Sequence, residues 1–143
     1  MAYRFDSFYI GGAWVKPSTT DVLTLENPAT RAPFATVPDA TPADAVAAIE
    51  AAASALPAWS ATPLAKRVEL MQKALEIFKT YRDEIIRLEA LELGAPVSYS
   101  ANAHCDYQFT RIESYIRESQ KVVLEEQFEQ STVVREPVGV IAC

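Results

Sequence analysis

Two cysteines are the most reactive side chains in the sequence, because a thiolate can act as a nucleophile. Cys143 ends an apolar run and has no basic neighbour that would favour its thiolate form, so we assign it a structural role. His104 directly precedes Cys105, but adjacent residues of a helix point about 100° apart and cannot pair as a catalytic dyad. The chain has one histidine and no CxxC spacing, so the sequence indicates neither a zinc site nor a disulfide framework.

A pair of glycines, Gly11-Gly12, is the second feature that could carry chemistry, because glycine-rich turns hold phosphate groups. The pair lacks the GxGxxG spacing of dinucleotide sites and precedes a β-prone segment instead of a helix. It therefore predicts a hairpin turn between Phe8-Tyr9-Ile10 and Ala13-Trp14-Val15.

Charge and hydropathy narrow the class of protein. The 143 residues carry 13 Lys plus Arg against 19 Asp plus Glu, and the net charge of −6 disfavours nucleic acid and anionic membranes as partners. No apolar run approaches the ~20 residues that span a bilayer, and the first residues lack an apolar signal core. We therefore expect a cytoplasmic protein with reduced thiols and no membrane contact.

Short strands are predicted in the first part of the chain. Besides the hairpin, Val22-Leu23-Thr24-Leu25 is followed by Asn27-Pro28, and Phe34-Ala35-Thr36-Val37 is followed by Pro38. Proline and asparagine thus delimit two further β-prone segments, because both residues favour turns and interrupt regular structure.

Helical periodicity replaces the β-prone pattern at Thr41, where a hydroxyl N-cap precedes a proline and a carboxylate. Apolar residues at helical spacing predict a first helix over residues 42–56. A second start signal at Thr62 precedes the clearest apolar stripe of the sequence, which ends near Phe78. Trp59 lies between these two helices and is expected to be buried there as the anchor of their junction.

Two further helices follow in the sequence. The third ends where Gly94 and Pro96 give the glycine-then-proline stop of a helix C-terminus. Ser98 can cap the fourth, which is predicted to run to about Gln120 with a less regular apolar face.

The last residues form an apolar run that predicts a strand over 133–143, buried on both faces as in a parallel sheet. Leaving its apolar side chains in water would forfeit roughly 1.5–3 kcal/mol each, which is large against a domain stability of ~5–15 kcal/mol. We therefore expect this strand to be covered by further polypeptide or, in the isolated chain, by another copy.

Several segments resemble, in matching order, the N-terminal part of the aldehyde dehydrogenase superfamily. They are Tyr9-Ile10-Gly11-Gly12-Ala13-Trp14, Asn27-Pro28-Ala29-Thr30, Ala35-Thr36-Val37-Pro38, Pro57-Ala58-Trp59-Ser60, Leu91-Glu92-Leu93-Gly94-Ala95-Pro96 and Arg135-Glu136-Pro137-Val138-Gly139-Val140. Two positions depart from the family pattern: Arg31 replaces a usual glycine, and Ala95 replaces a usual lysine. Both are expected in surface turns, so they bear on the subfamily and not on the family.

The resemblance implies an α/β fold with a Rossmann-type cofactor domain and a β-rich oligomerisation extension. Within it, about 8–26 would form the oligomerisation hairpin, 27–132 the helical packing part of the cofactor domain, and 133–143 the strand leading into the cofactor-binding core. The implied intact enzyme is a homo-oligomer that oxidises an aldehyde to a carboxylic acid with NAD or NADP, through a cysteine nucleophile and a glutamate base.

The resemblance also implies that the catalytic cysteine, the glutamate and the pyrophosphate loop lie beyond this sequence. The chain alone is therefore expected to be inactive, to bind no cofactor, and to need the remainder of its polypeptide as a partner. A non-catalytic assembly module that acts by strand pairing and helix packing is the alternative interpretation of the same residues.

Two groups of residues acquire site roles by the same resemblance. Ala103, Tyr107 and Thr110 would line the aldehyde tunnel, against the alternative that they are ordinary helix-packing residues. The carboxylate of Glu92 and the backbone carbonyl of Glu26 would hold a structural monovalent cation, against the alternative that Glu92 is a solvated carboxylate.

Overall fold

The structure, a computed structural model, describes residues 3–142, so the structural role expected for Cys143 lies outside the described residues. The strands are β1 (Tyr3–Arg4), β2 (Phe8–Ile10), β3 (Ala13–Val15), β4 (Val22–Glu26), β5 (Pro33–Pro38), β6 (Glu125–Gln127) and β7 (Thr132–Val134). The helices are α1 (Pro42–Ala61), α2 (Leu64–Thr80), α3 (Arg82–Glu92), the short α4 (Val97–Tyr99), a π-helix (Ser100–Asp106) and α5 (Tyr107–Ser119). This mixed content agrees with the expected α/β class.

The predicted hairpin and the two predicted strands after it are confirmed. β2 pairs antiparallel with β3, and Gly11 and Gly12 take φ of 60° and 84° in the turn, a region that glycine enters without steric penalty. Tyr9 faces Trp14 across the hairpin with ring centroids 5.2 Å apart. In a separate three-stranded sheet, β5 lies between antiparallel β4 and parallel β1.

Helix α1 begins as predicted but ends later. Thr41 and Asp44 form a capping box, and the Ser18 hydroxyl also donates to the Asp44 carboxylate at 2.9 Å, which ties the chain after β3 to this helix. The helix continues through Pro57 to Ala61, within an alanine-rich sequence of high helix propensity. Trp59 therefore lies on α1 itself, where it is 46% exposed, and the expectation that it is a buried junction anchor is wrong.

The apolar core lies where α2, α3, the π-helix and α5 meet. Its buried members are Val68, Leu75, Ile86, Cys105, Phe109 and Ile116. Phe78 of α2 meets the Phe109 ring edge-on with centroids 5.5 Å apart. Two of these residues, Val68 and Leu75, belong to the apolar stripe predicted for the second helix. Successive members of that stripe are about one turn apart and therefore share one helix face.

The predicted fourth helix has the expected extent but not the expected form. Residues 100–106 form a π-helix, whose turns are wider than those of an α-helix, between α4 and α5. Apolar spacing alone does not distinguish the two helix types, because both place residues three to five apart on one face.

The end of the chain differs most from expectation. Only Thr132–Val134 form a strand there, β7, and it pairs antiparallel with β6, which arises from residues that the sequence did not predict as a strand. The side chains of Val133 and Val134 are exposed, and residues 135–142 have no regular secondary structure. A strand buried on both faces needs neighbours on two sides, and residues 3–142 do not supply them at this position.

Along residues 3–142, no helix combines the length and the apolar character that a bilayer crossing requires.

The position of the core generates a paired stability prediction. Leu75→Ala should lower the free energy of unfolding by about 2–5 kcal/mol, because Leu75 is a buried core residue and its loss leaves a cavity. Trp59→Ala should lower it by less than Leu75→Ala does, because Trp59 is already 46% exposed to solvent. Denaturant melts of both variants measure the difference, and a larger loss for Trp59→Ala would contradict this assignment of the core.

The exposed end of the chain generates a second prediction. Val138 is 94% exposed and Ile141 is 69% exposed, so the isolated chain should bury them by self-association. Replacing Val138 and Val140 together by Lys should make the chain more soluble and more nearly monomeric in sedimentation. A compact, concentration-independent monomer of the unaltered chain, with these residues protected from hydrogen exchange, would contradict the prediction.

Candidate functional site

The residues expected to line a tunnel lie on one continuous helical stretch. Ala103 is half-buried in the π-helix, Tyr107 begins α5, and Thr110 follows within one turn. Tyr107 is 57% exposed, and the Thr110 hydroxyl donates to the backbone carbonyl of Asp106 at 3.2 Å. The structure thus brings these residues together on consecutive turns and leaves the aromatic side chain open to solvent.

Two polar contacts attach the π-helix to α3. Arg82 donates from Nε and Nη2 to the two carboxylate oxygens of Asp106, at 2.6 and 2.8 Å. Nδ1 of His104 contacts Oε1 of Glu89, and the Tyr99 ring packs edge-on against the imidazole with centroids 4.7 Å apart. These contacts fix the segment that precedes Tyr107, and π-helical segments frequently occur at functional sites.

The charges of these groups follow from their partners. The hydrogen bonds that Arg82 donates hold the pKa of the Asp106 carboxyl below its ordinary value, and the same bonds raise the pKa of Arg82. Both groups therefore remain charged at neutral pH.

Cys105 is not suited to nucleophilic chemistry. Its side chain is 2% exposed, and burial raises the pKa of the thiol, so the neutral form dominates at neutral pH. The neighbouring His104 contacts Glu89, whereas Cys105 points into the apolar core. The structure thus gives the His104-Cys105 sequence no dyad geometry.

An aromatic and cationic row on α5 was missed by the sequence reasoning. The Arg111 guanidinium carbon lies 5.8 Å from the ring centroid of Tyr107 and 5.7 Å from that of Tyr115. Nη2 of Arg111 also donates to the Tyr115 hydroxyl at 2.8 Å. The signal was available in the spacing of four residues between successive members, which places all three on one helix face.

The two glutamates expected to hold a cation lie near one junction. Glu26 ends β4, where its carboxylate lies 3.7 Å from Nε of Arg31, and Glu92 ends α3. Beyond α3, a Cβ on Gly94 would lie 2.9 Å from Cγ of Pro28, so the helix end packs closely on the turn after β4. Among the described side chains, no group of three His, Cys, Asp or Glu residues could hold a metal ion.

The glycines of this chain are not arranged as in a dinucleotide-binding turn. The chain has four glycines: Gly11 and Gly12 lie between two strands, Gly94 follows α3, and Gly139 follows β7. None lies in a turn from a strand into a helix, where backbone amides and the helix dipole would hold a pyrophosphate. None of these glycines is therefore placed as in a pyrophosphate-binding turn of the dinucleotide type.

Comparison with known proteins gives one consistent family. The profile described as "Aldehyde dehydrogenase family" matches residues 14–143. The glutarate-semialdehyde dehydrogenase of Pseudomonas putida is 30% identical over 139 residues, which cover 94% of this chain and 29% of that protein. The NADP-dependent succinate-semialdehyde dehydrogenase of Escherichia coli is 27% identical, over 93% of this chain and 28% of that protein.

A solved structure shows the same fold. The aldehyde dehydrogenase of Mycobacterium tuberculosis, complexed with NAD+, is 32% identical and has a TM-score of 0.89 over 96% of this chain and 30% of that one. The chain thus spans less than a third of the length of the relatives that it matches.

The Arg82–Asp106 contact generates a pH-dependent prediction. Because the pKa of Asp106 lies below its ordinary value of 3.8, the ion pair stabilises the fold above that pH and is lost as pH falls through the lower folded-state value. Asp106→Asn should therefore be less stable than the parent at neutral pH, and the difference should shrink in acid. Asp83→Asn is the matched control, since Asp83 contacts the same arginine but is 96% exposed. Urea melts across pH measure this, and a difference that grew in acid would contradict it.

Proposed function

Because the chain belongs to the aldehyde dehydrogenase family, we propose that it supplies the N-terminal portion of an enzyme that oxidises an aldehyde to a carboxylic acid with NAD or NADP. The observation that carries this proposal is the match of 96% of the chain to an NAD-complexed aldehyde dehydrogenase at a TM-score of 0.89. The nicotinamide would accept hydride from the aldehyde carbon in such an enzyme.

The described residues have a supporting role in this reaction. Cys105 is buried in its neutral form, and no described glycine lies where a pyrophosphate would be held. The nucleophile and the cofactor loop are therefore assigned outside residues 3–142. We assign the surface formed by Ala103, Tyr107 and Thr110 to the wall of the aldehyde tunnel.

The proposed organisation follows the order of the elements. The hairpin region, about 8–26, would contact other subunits of a homo-oligomer, which agrees with the exposed rings of Tyr9 and Trp14. Residues 27–132 would pack on the cofactor domain, and 133–143 would enter its core, where the exposed apolar side chains would find cover.

We assign the junction of β4 and α3 to a structural monovalent cation. The carboxylate of Glu92 lies at a helix C-terminus, which is unfavourable for a negative charge unless a cation balances it. The close contact between Gly94 and Pro28 supports this assignment, because it holds the end of α3 against the turn that follows Glu26.

We further propose that the substrate is an aldehyde that carries a carboxylate. Two relatives are named for glutarate semialdehyde and succinate semialdehyde, which both bear a carboxylate at the end opposite the aldehyde. An exposed arginine on α5, next to the proposed tunnel wall, supports a negatively charged substrate.

A hybrid enzyme tests the proposed function. Residues of this chain should replace the matched segment of the Pseudomonas putida glutarate-semialdehyde dehydrogenase, which supplies the nucleophile and the cofactor loop. The hybrid should reduce NAD or NADP when glutarate semialdehyde is added, read as the absorbance of the reduced nicotinamide. Ile86→Asp in the hybrid is the control, because a charge in the core should abolish folding and activity.

A folded but inactive hybrid would contradict the proposal and favour a non-catalytic assembly module. The unfused chain gives a second control: titrated with NAD and NADP in a calorimeter, it should show no saturable binding. Saturable heat in the micromolar range would show that the described residues do hold the cofactor.

A further inference from the structure

Arg111 is a cation whose described neighbours are neutral. Its guanidinium lies between the rings of Tyr107 and Tyr115 and donates to the Tyr115 hydroxyl at 2.8 Å. A longer contact of 3.5 Å joins Nη1 to Oε1 of Gln108. Within residues 3–142, no carboxylate lies within ion-pair distance of Arg111, so its positive charge has no counter-charge there.

The acidic residues of the same helix are engaged elsewhere. The Glu113 carboxylate accepts from Lys79 on α2 at 2.8 Å, and Glu118 accepts from Lys121 at 2.6 Å. Arg117, the other arginine of α5, also pairs with Glu118, at 3.2 Å. In a chain with a net charge of −6, the lack of a carboxylate partner is therefore specific to Arg111 and not general to the helix.

The two rings orient this guanidinium. Contact with the two aromatic rings restricts this flexible side chain, and of the five N–H donors along the planar edge of the guanidinium only those directed at Tyr115 and Gln108 have described partners. That edge matches the two oxygens of a carboxylate, which arginine binds through parallel hydrogen bonds. The geometry therefore favours a carboxylate ligand over a neutral one.

The position of Arg111 relates it to the proposed tunnel wall. It lies one turn after Tyr107 on the same helix face, about 6 Å along the axis. A substrate that contacts Tyr107 with its chain can therefore present its far end to Arg111.

We propose that Arg111, held between Tyr107 and Tyr115, binds the distal carboxylate of the substrate and so determines specificity for carboxylated aldehydes over neutral ones. This inference rests on the proposed function, because it assumes that the face bearing Tyr107 contacts the aldehyde. It adds a residue that neither the sequence pattern nor the family resemblance assigned.

The hybrid enzyme described above tests the inference with two substrates of equal length, glutarate semialdehyde and pentanal, of which only the first carries a carboxylate. Arg111→Gln should raise KM for glutarate semialdehyde at least about tenfold, which corresponds to about 1.4 kcal/mol, with kcat unchanged. Kinetics with pentanal should not change. Arg117→Gln is the matched control on the same helix and should alter neither substrate, and Arg111→Lys should restore part of the loss.

The outcomes separate the inference from the function on which it rests. An unsubstituted hybrid that folds but oxidises neither aldehyde contradicts the proposed function. An active hybrid in which Arg111→Gln leaves glutarate semialdehyde unaffected, or affects both aldehydes equally, overturns the inference alone.

A measurement on the unfused chain tests carboxylate binding by Arg111 even if the hybrid does not fold. Sodium glutarate, added to chain labelled at the arginine Nε, should shift the Nε–Hε signal of Arg111 at concentrations that leave Arg117 unmoved. Sodium chloride at equal ionic strength should not reproduce the shift. An equal response of the two arginines would overturn the proposal.

Discussion

The rest of the structure depends on the burial of apolar side chains where α2, α3, the π-helix and α5 meet. Val68, Leu75, Ile86, Phe109 and Ile116 are each less than a tenth exposed. Burying a side chain of this kind contributes about 1.5–3 kcal/mol, so one or two of them are a large fraction of a domain stability of ~5–15 kcal/mol. By contrast, α1 contributes no buried residue to the described structure. The helical core therefore fixes α2, α3, the π-helix and α5 relative to one another.

Two polar contacts between α3 and the π-helix orient the candidate site relative to this core. Arg82 and Glu89 lie on α3, and their partners Asp106 and His104 lie on the π-helix that leads into α5. The face of α5 that bears Tyr107 thus takes its orientation from α3, although the two are separate in sequence. Under the proposed function, α3 would thereby orient the wall of the aldehyde tunnel.

Local patterns allowed the prediction of much of this fold. The hairpin, β4, β5 and α2 follow from turn residues and from apolar spacing within a few neighbours. Elements that depend on distant partners were not predictable in the same way. β1 is held by a parallel pairing with β5, and the π-helix is tied to α3, so neither has a signal in its own residues.

The residues of the candidate site also differ in how far the sequence alone could identify them. Tyr107 and Thr110 could be named from resemblance. The spacing of Arg111 from Tyr107 and Tyr115 was visible in the sequence, whereas its contacts with both rings and its lack of a described carboxylate partner could be recognised only from the structure. Arg31 is instructive as well: its φ of 61° explains why glycine is usual there, although the sequence alone marked only a departure from pattern.

Native-state hydrogen exchange of the isolated chain tests the central role of the helical core most directly. Backbone amides in the middle of α2, α3 and α5 should exchange most slowly, because their exposure requires the core to open. In the chain with Val138 and Val140 replaced by Lys, which should be more nearly monomeric, amides of residues 136–142 should exchange close to the rate of an unstructured chain. Slowest exchange in β6, β7 and residues 135–142, with rapid exchange in α2 and α5, would contradict the account and place the stable unit at the other end of the chain.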